Sequence, residues 1–151
     1  RTKKAADPAF DEIHTNEELD ALLPDTDILV LALPATGETK NILSAERIAL
    51  LPRRTYVVNV GRGSAIDQTA LVDALNAGRI AGAALDVFQR EPLPENDPAW
   101  TAKNLIVTPH ISGQMSLGYT RDRNVELFCE DLERYGKGEK PVRLVDRRIG
   151  Y

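Results

Sequence analysis

Short apolar runs bounded by turn residues alternate along this chain with segments of helical period. No other feature constrains the fold as much, because that alternation is what successive βαβ units require, with parallel strands joined by crossover helices. Strands are predicted at residues 27–33 (DILVLAL), 55–60 (TYVVNV), 82–88 (GAALDVF) and 105–108 (LIVT). The runs at 27–33 and 82–88 are almost unbroken, which predicts strands covered on both faces, as in the middle of a doubly wound sheet. Pro34 stops the first of them.

The segments between carry helix punctuation. Thr15-Asn16-Glu17-Glu18 fits a capping box opening a helix over 16–23, which Pro24 ends. A second helix is predicted over 44–51, before Pro52. Asp67 caps a third, whose Ala70, Leu71, Ala74 and Leu75 share one face, and Gly78 sits where a left-handed residue closes it. Three prolines between Glu91 and Pro98 make that stretch an extended loop. A last helix is predicted over 115–135, with Val125, Phe128, Cys129 and Leu132 on an apolar stripe that places Cys129 in the core. Residues 1–135 therefore read as one α/β unit and 136–151 as a tail.

Composition removes several classes. At 151 residues the chain is one domain, large enough to fold without disulfides or a structural metal. Its single cysteine allows no internal bridge and no zinc-ligand spacing, which suits a reducing, cytoplasmic setting. Nineteen Lys and Arg against 23 Asp and Glu give a net charge of −4, so no nucleic-acid partner is expected. No apolar run approaches the ~18 residues of a membrane span.

In an open parallel sheet, ligands bind beyond the carboxyl ends of the strands. There this chain places Leu33-Pro34, then Asn59-Val60-Gly61-Arg62-Gly63, then Asp86 and Glu91, then Pro109-His110-Ile111-Ser112-Gly113. An arginine, a carboxylate and an imidazole are thus expected on one rim. Arg62 offers a planar fork for a carboxylate, with Gly61 and Gly63 letting the backbone approach a ligand. Histidine ionises nearest neutrality of all side chains, so His110 suits giving a proton to a carbonyl oxygen and taking it back. Glu91 is placed to accept a hydrogen bond from its other ring nitrogen and fix the tautomer. Each has a plainer reading alone: a solvated loop arginine, a lone histidine, a surface glutamate, a turn-capping Asp86. Their joint placement at strand ends favours chemistry on a small 2-oxo or 2-hydroxy acid. His14 is read as structural or solvent-exposed, and Trp100 as a packing anchor for the loop.

The stretch VNVGRGSAIDQTALVDALNAGRIAGAALDVFQREPLPENDPAW, followed by NLIVTPHISG, closely resembles the signature region of the D-isomer-specific 2-hydroxyacid dehydrogenases. The resemblance covers nearly the whole chain and runs through three separated motifs in order. It implies the second half of a Rossmann-like nucleotide-binding sheet and NAD(P)-linked interconversion of 2-oxo and 2-hydroxy acids. By it, Arg62 binds the substrate carboxylate, Glu91 partners the histidine, and His110 is the acid/base. It further implies cofactor contacts at Leu33, Pro34, Val60, Gly61, Arg62, Asp86, His110, Ser112 and Gly113. Arg1 and Thr2 resemble the segment after the second strand of the nucleotide fold, where an arginine would pair with a 2′-phosphate; NADP is therefore favoured over NAD.

The ending LFCEDLERYGKGEKPVRLVDRRIGY is similar to the glyoxylate/hydroxypyruvate reductase group. Phosphoglycerate or D-lactate dehydrogenases, and a cofactor-sensing corepressor or scaffold, are the rival readings. One departure stands out: Gly61-Arg62-Gly63 is followed by Ser64-Ala65-Ile66, so no complete G-x-G-x-x-G occurs. The resemblance then implies the carboxyl-terminal part of a longer, homodimeric enzyme. Its 136–151 tail is expected to pack towards a substrate domain, and one side of the sheet is expected to lie bare.

Overall fold

Four strands form one sheet. In the computed structural model, which describes residues 7–113 and 117–148, β1 (Ile28–Leu31), β2 (Tyr56–Asn59), β3 (Gly82–Leu85) and β4 (Leu105–Val107) are parallel and lie side by side in chain order. Each strand is shorter than its apolar run. The last rung, Leu31–Asn59–Leu85–Val107, is level across all four strands, so every following residue leaves the sheet from the same edge. That edge is the rim on which the candidate residues stand.

Helix α2 (Ala45–Leu50) joins β1 to β2 and α3 (Gln68–Asn76) joins β2 to β3. Their ends are set locally. The Ser44 hydroxyl accepts from the Arg47 N–H and the Asp67 carboxylate from the Ala70 N–H, while Gly78 at φ +63° closes α3. The helix expected over 16–23 is instead a four-residue α1 (Leu19–Leu22) between two 3₁₀ turns, Asn16–Glu18 and Leu23–Asp25. Pro24 stands in the second of these turns, and at the entrance the Thr15 N–H donates to the Glu18 carboxylate at 2.9 Å. His14 bridges Glu12 and Glu18, a structural role as expected.

The two faces of the sheet differ. Leu31, Val57, Ala83 and Leu85 are buried with Ile48 of α2, Leu51 just beyond it, and Leu71, Val72 and Leu75 of α3. On the opposite face Ile28 is 65% exposed, Val30 58%, Tyr56 54% and Ile106 65%. The unbroken run at 27–33 predicts cover on both sides. Both crossover helices lie on one side, however, and no described element packs on the other.

Helix α4 (Gly118–Gly136) carries the expected stripe, but Val125, Phe128 and Leu132 are more than half exposed and Cys129 lies on the surface. The reading of Cys129 as a core residue is overturned, because nothing described covers that stripe; the start predicted at residue 115 lies outside the described residues. The tail turns back along the other side of α4. The Asp131 carboxylate accepts the Val142 and Arg143 N–H groups at 2.8 and 3.1 Å, and the Arg143 guanidinium donates to Glu130 at 2.6 Å. Among the described residues no helix is long and apolar enough to cross a membrane.

Candidate active site

The proline-rich connection between β3 and β4 is held in place by α3. Gln68 donates to the Asp97 carboxylate at 3.1 Å and accepts the Gln89 N–H at 3.2 Å, while the Gln89 amide donates to the Ile66 carbonyl at 2.8 Å. Anchored this way, the loop presents Glu91. One carboxylate oxygen of Glu91 accepts the Phe88 N–H at 2.8 Å, and the other lies 2.7 Å from Nδ1 of His110. The ring is 47% exposed, and its Nε2 has no hydrogen-bond partner among the described residues. Burial pushes the Glu91 carboxyl up, but the bond to His110, the Phe88 N–H and the charge of His110 outweigh it, so Glu91 sits below its ordinary range.

Asp86 fixes the segment that carries the histidine. It is buried, at 4% exposed, and its backbone carbonyl accepts the His110 N–H at 2.9 Å. Its Oδ1 accepts from the Thr108 hydroxyl and, at 2.9 Å, from the Ile111 N–H; its Oδ2 accepts the Ser112 N–H at 2.8 Å. Burial alone would raise this carboxyl, yet the hydrogen bonds from Ser112, Thr108 and Ile111 hold it far below the usual carboxylate range. His110 takes a left-handed backbone conformation at φ +54°, shared among non-glycine residues only with Asn41 and Asn104 in the described chain.

Arg62 occupies the neighbouring loop, after β2. Its side chain is exposed and its Nη1 donates to the Gly61 carbonyl at 2.7 Å. No contact joins it to the Glu91–His110 pair. Because β2 and β4 are separated by one strand, their ends lie roughly 10 Å apart.

The flanking glycines also have a packing reason. A Cβ at Gly61 would stand 2.5 Å from the Leu33 backbone nitrogen, and one at Gly63 would stand 1.9 Å from the Phe88 carbonyl carbon. They permit close packing of this loop against the loops beside it.

Leu33, Pro34, Val60, Gly61, Asp86, Ser112 and Gly113 all follow the ends of the strands on the same edge, while Arg1 and Thr2 lie outside the described residues. Val60 is 39% exposed there. Such an edge, open and lined by small and apolar residues with a buried acceptor beneath, suits an extended dinucleotide.

Two residues do more than their sequence positions suggest. Trp100 donates its indole N–H to the Pro94 carbonyl at 2.8 Å, the anchor expected of it. Its ring also walls a cavity of about 640 Å³ together with Phe88, Leu93, Pro109, Glu91 and His110, a wall to which Arg62 does not contribute. Asn59, the last residue of β2, is 1% exposed and hydrogen-bonds the Gly61–Arg62 backbone. The available signal was a single amide near the end of an apolar run, two residues before a glycine.

Comparison with known proteins bears on the same residues. Residues 1–112 match the profile of the D-isomer specific 2-hydroxyacid dehydrogenase, NAD binding domain. A glyoxylate reductase of Thermofilum pendens is 40% identical over 132 residues, covering 87% of this chain and 38% of its own length. A D-isomer specific 2-hydroxyacid dehydrogenase of Xanthobacter autotrophicus, solved with NADPH and MES, superposes with a TM-score of 0.78 at 41% identity, covering 89% of this chain and 54% of that one. The NADPH-dependent glyoxylate/hydroxypyruvate reductase of Sinorhizobium meliloti, solved with NADP and sulfate, gives 0.86 at 30% identity, over 100% of this chain and 48% of that one. The chain thus spans about half or less of the proteins it matches. A parallel half-sheet with a level carboxyl edge, and a profile match running from its first residue past His110, lead to one conclusion: this chain belongs to the D-isomer specific 2-hydroxyacid dehydrogenase family, within its NAD-binding domain.

Proposed function

We propose that this chain supplies the acid/base and cofactor-holding half of an NAD(P)-dependent cytoplasmic reductase of small 2-oxo acids, of the glyoxylate or hydroxypyruvate type. The observation that carries this reading is the Glu91–His110 pair, joined at 2.7 Å through Nδ1 with Nε2 left open. A carboxylate at Nδ1 holds the ring orientation and stabilises the charged imidazolium, so Nε2 is the atom that gives its proton to the substrate carbonyl oxygen. Arg62, one strand away, grips the substrate carboxylate with its fork and turns the carbonyl towards His110. Leu33, Pro34, Val60, Gly61, Ser112 and Gly113 line the path of the dinucleotide, and Asp86 holds the rim beneath it. Bound there, the nicotinamide supplies the hydride.

NADP is the favoured cofactor, on the arginine at position 1 and on the solved relatives that carry NADP or NADPH. In the assembled enzyme the bare sheet face and the stripe of α4 are covered, the 136–151 tail packs towards the substrate domain, and the enzyme works as a homodimer. Steady-state rates of the full-length enzyme over a panel of 2-oxo acids, with NADH and NADPH, test the reading. Turnover of glyoxylate or hydroxypyruvate, faster with NADPH, is expected. Cofactor binding without turnover of any 2-oxo acid would overturn it in favour of a cofactor-sensing regulator.

A further inference from the structure

The loop that carries Arg62 is held at two points by one buried side chain. Oδ1 of Asn59 accepts the Gly61 N–H at 3.1 Å, and Nδ2 of the same amide donates to the Arg62 carbonyl at 3.0 Å. At 1% exposed, Asn59 stands on the last rung of the sheet, where its neighbours Leu31, Leu85 and Val107 are all apolar. A strand that needed only packing there would carry another aliphatic residue. An amide is instead a donor and an acceptor on adjacent atoms, which is what a turning backbone presents.

The rest of the loop has nowhere to go. Gly61 and Gly63 press against the backbones of Leu33 and Phe88, and the Val60 N–H is bonded to the Leu31 carbonyl. Arg62 itself is free only beyond its root: among the described residues the exposed guanidinium hydrogen-bonds only the Gly61 carbonyl. A charged side chain on a fixed root loses less freedom when it closes on an anion than one on a mobile loop.

We propose that Asn59 is a positioning residue for the substrate grip, fixing the backbone from which Arg62 reaches the carboxylate of a 2-oxo acid. This rests on the reading of Arg62 given above. It assigns Asn59 no contact with substrate or cofactor.

Asn59→Asp tests it, because protonation restores what ionisation removes. A neutral carboxyl accepts from Gly61 and donates its O–H to the Arg62 carbonyl, whereas a carboxylate faces that carbonyl with two acceptors. In the full-length enzyme at pH 8, kcat/KM for the 2-oxo acid should fall about ten-fold, with the cofactor Kd changed less than about two-fold. Relative to the unaltered enzyme at each pH, the loss should shrink as the pH is lowered. Asn59→Ala should show a similar loss without that recovery. Unchanged kcat/KM at pH 8, or an equal loss of cofactor affinity with no recovery in acid, would overturn the proposal.

Should neither variant fold, hydrogen exchange of the Gly61 amide in the unaltered protein decides: slow exchange supports the clamp, and exchange at the rate of an open loop refutes it. Arg62→Lys, assayed alongside, separates the two readings. If it leaves kcat/KM unchanged, the assignment of Arg62 falls. If it lowers kcat/KM while Asn59→Asp does not, only the role of Asn59 falls.

Discussion

The loops after β2 and after β4 are built alike and end differently. Each is tied by a buried polar side chain from a strand end, Asn59 for the first and Asp86 for the second, and each projects one functional side chain from the same edge. His110 is already docked on Glu91, with one nitrogen committed and one open. Arg62 is rooted but undocked, its guanidinium turned onto its own loop. On the proposed reading, the proton-handling pair is complete within this chain, and the anion grip is finished only when an anion arrives. A general acid works best preset, since its alignment is needed at every turnover, while a binding arginine tolerates closing on its ligand.

Breaking the preset side should cost most. His110→Ala in the full-length enzyme should lower kcat by roughly 10²-fold or more, the usual worth of a positioned acid/base, with cofactor affinity little changed. Near-normal kcat in single-turnover and steady-state assays would remove His110 from the chemistry. Arg62→Lys should lower kcat/KM for the 2-oxo acid by about ten- to a hundred-fold, because an ammonium cannot form two parallel hydrogen bonds. Titration of the cofactor should show no comparable loss.

Glu91→Gln keeps the size of the side chain and removes the charge. It should lower kcat by about ten-fold, in keeping with the extra worth of a charge-assisted hydrogen bond. The smallest effect is expected on stability. The carboxyl of Asp86 titrates lower folded than unfolded, so its contribution is present above the unfolded value near 4 and is lost as the pH falls through the folded one. Asp86→Asn should therefore lower Tm by about 5 °C at neutral pH, and the gap to the unaltered protein should narrow in acid. A gap that stays constant or widens as the pH falls would contradict the Asp86 hydrogen bonds.

Local features were the legible ones. Asp67 and Gly78 bound α3 because capping is decided within a few residues, and the alternation of runs set four parallel strands in order for the same reason. Burial was less legible. Ile28 and Val30 read as core residues, as did Phe128 and Cys129, because an apolar pattern states which face seeks cover and not whether cover is present. The glycines beside Arg62 also let its loop pack on Leu33 and Phe88, distant in sequence, a contact that no local pattern states. Asn59 stands among the rim residues of the sequence without a role for the same reason: in TYVVNV an amide looks like an interruption until the turn that it bonds is seen.

The left-handed backbone at His110 has a consequence for how this loop would drift if chemistry were no longer demanded of it. Glycine or asparagine would sit at φ +54° with less strain, by roughly 1 kcal/mol for glycine, and the backbone N–H there would still donate to the Asp86 carbonyl. On the proposed reading, a descendant that kept the nucleotide-binding sheet but abandoned reduction would relieve this backbone by discarding the imidazole, while losing the hydrogen bond to Glu91.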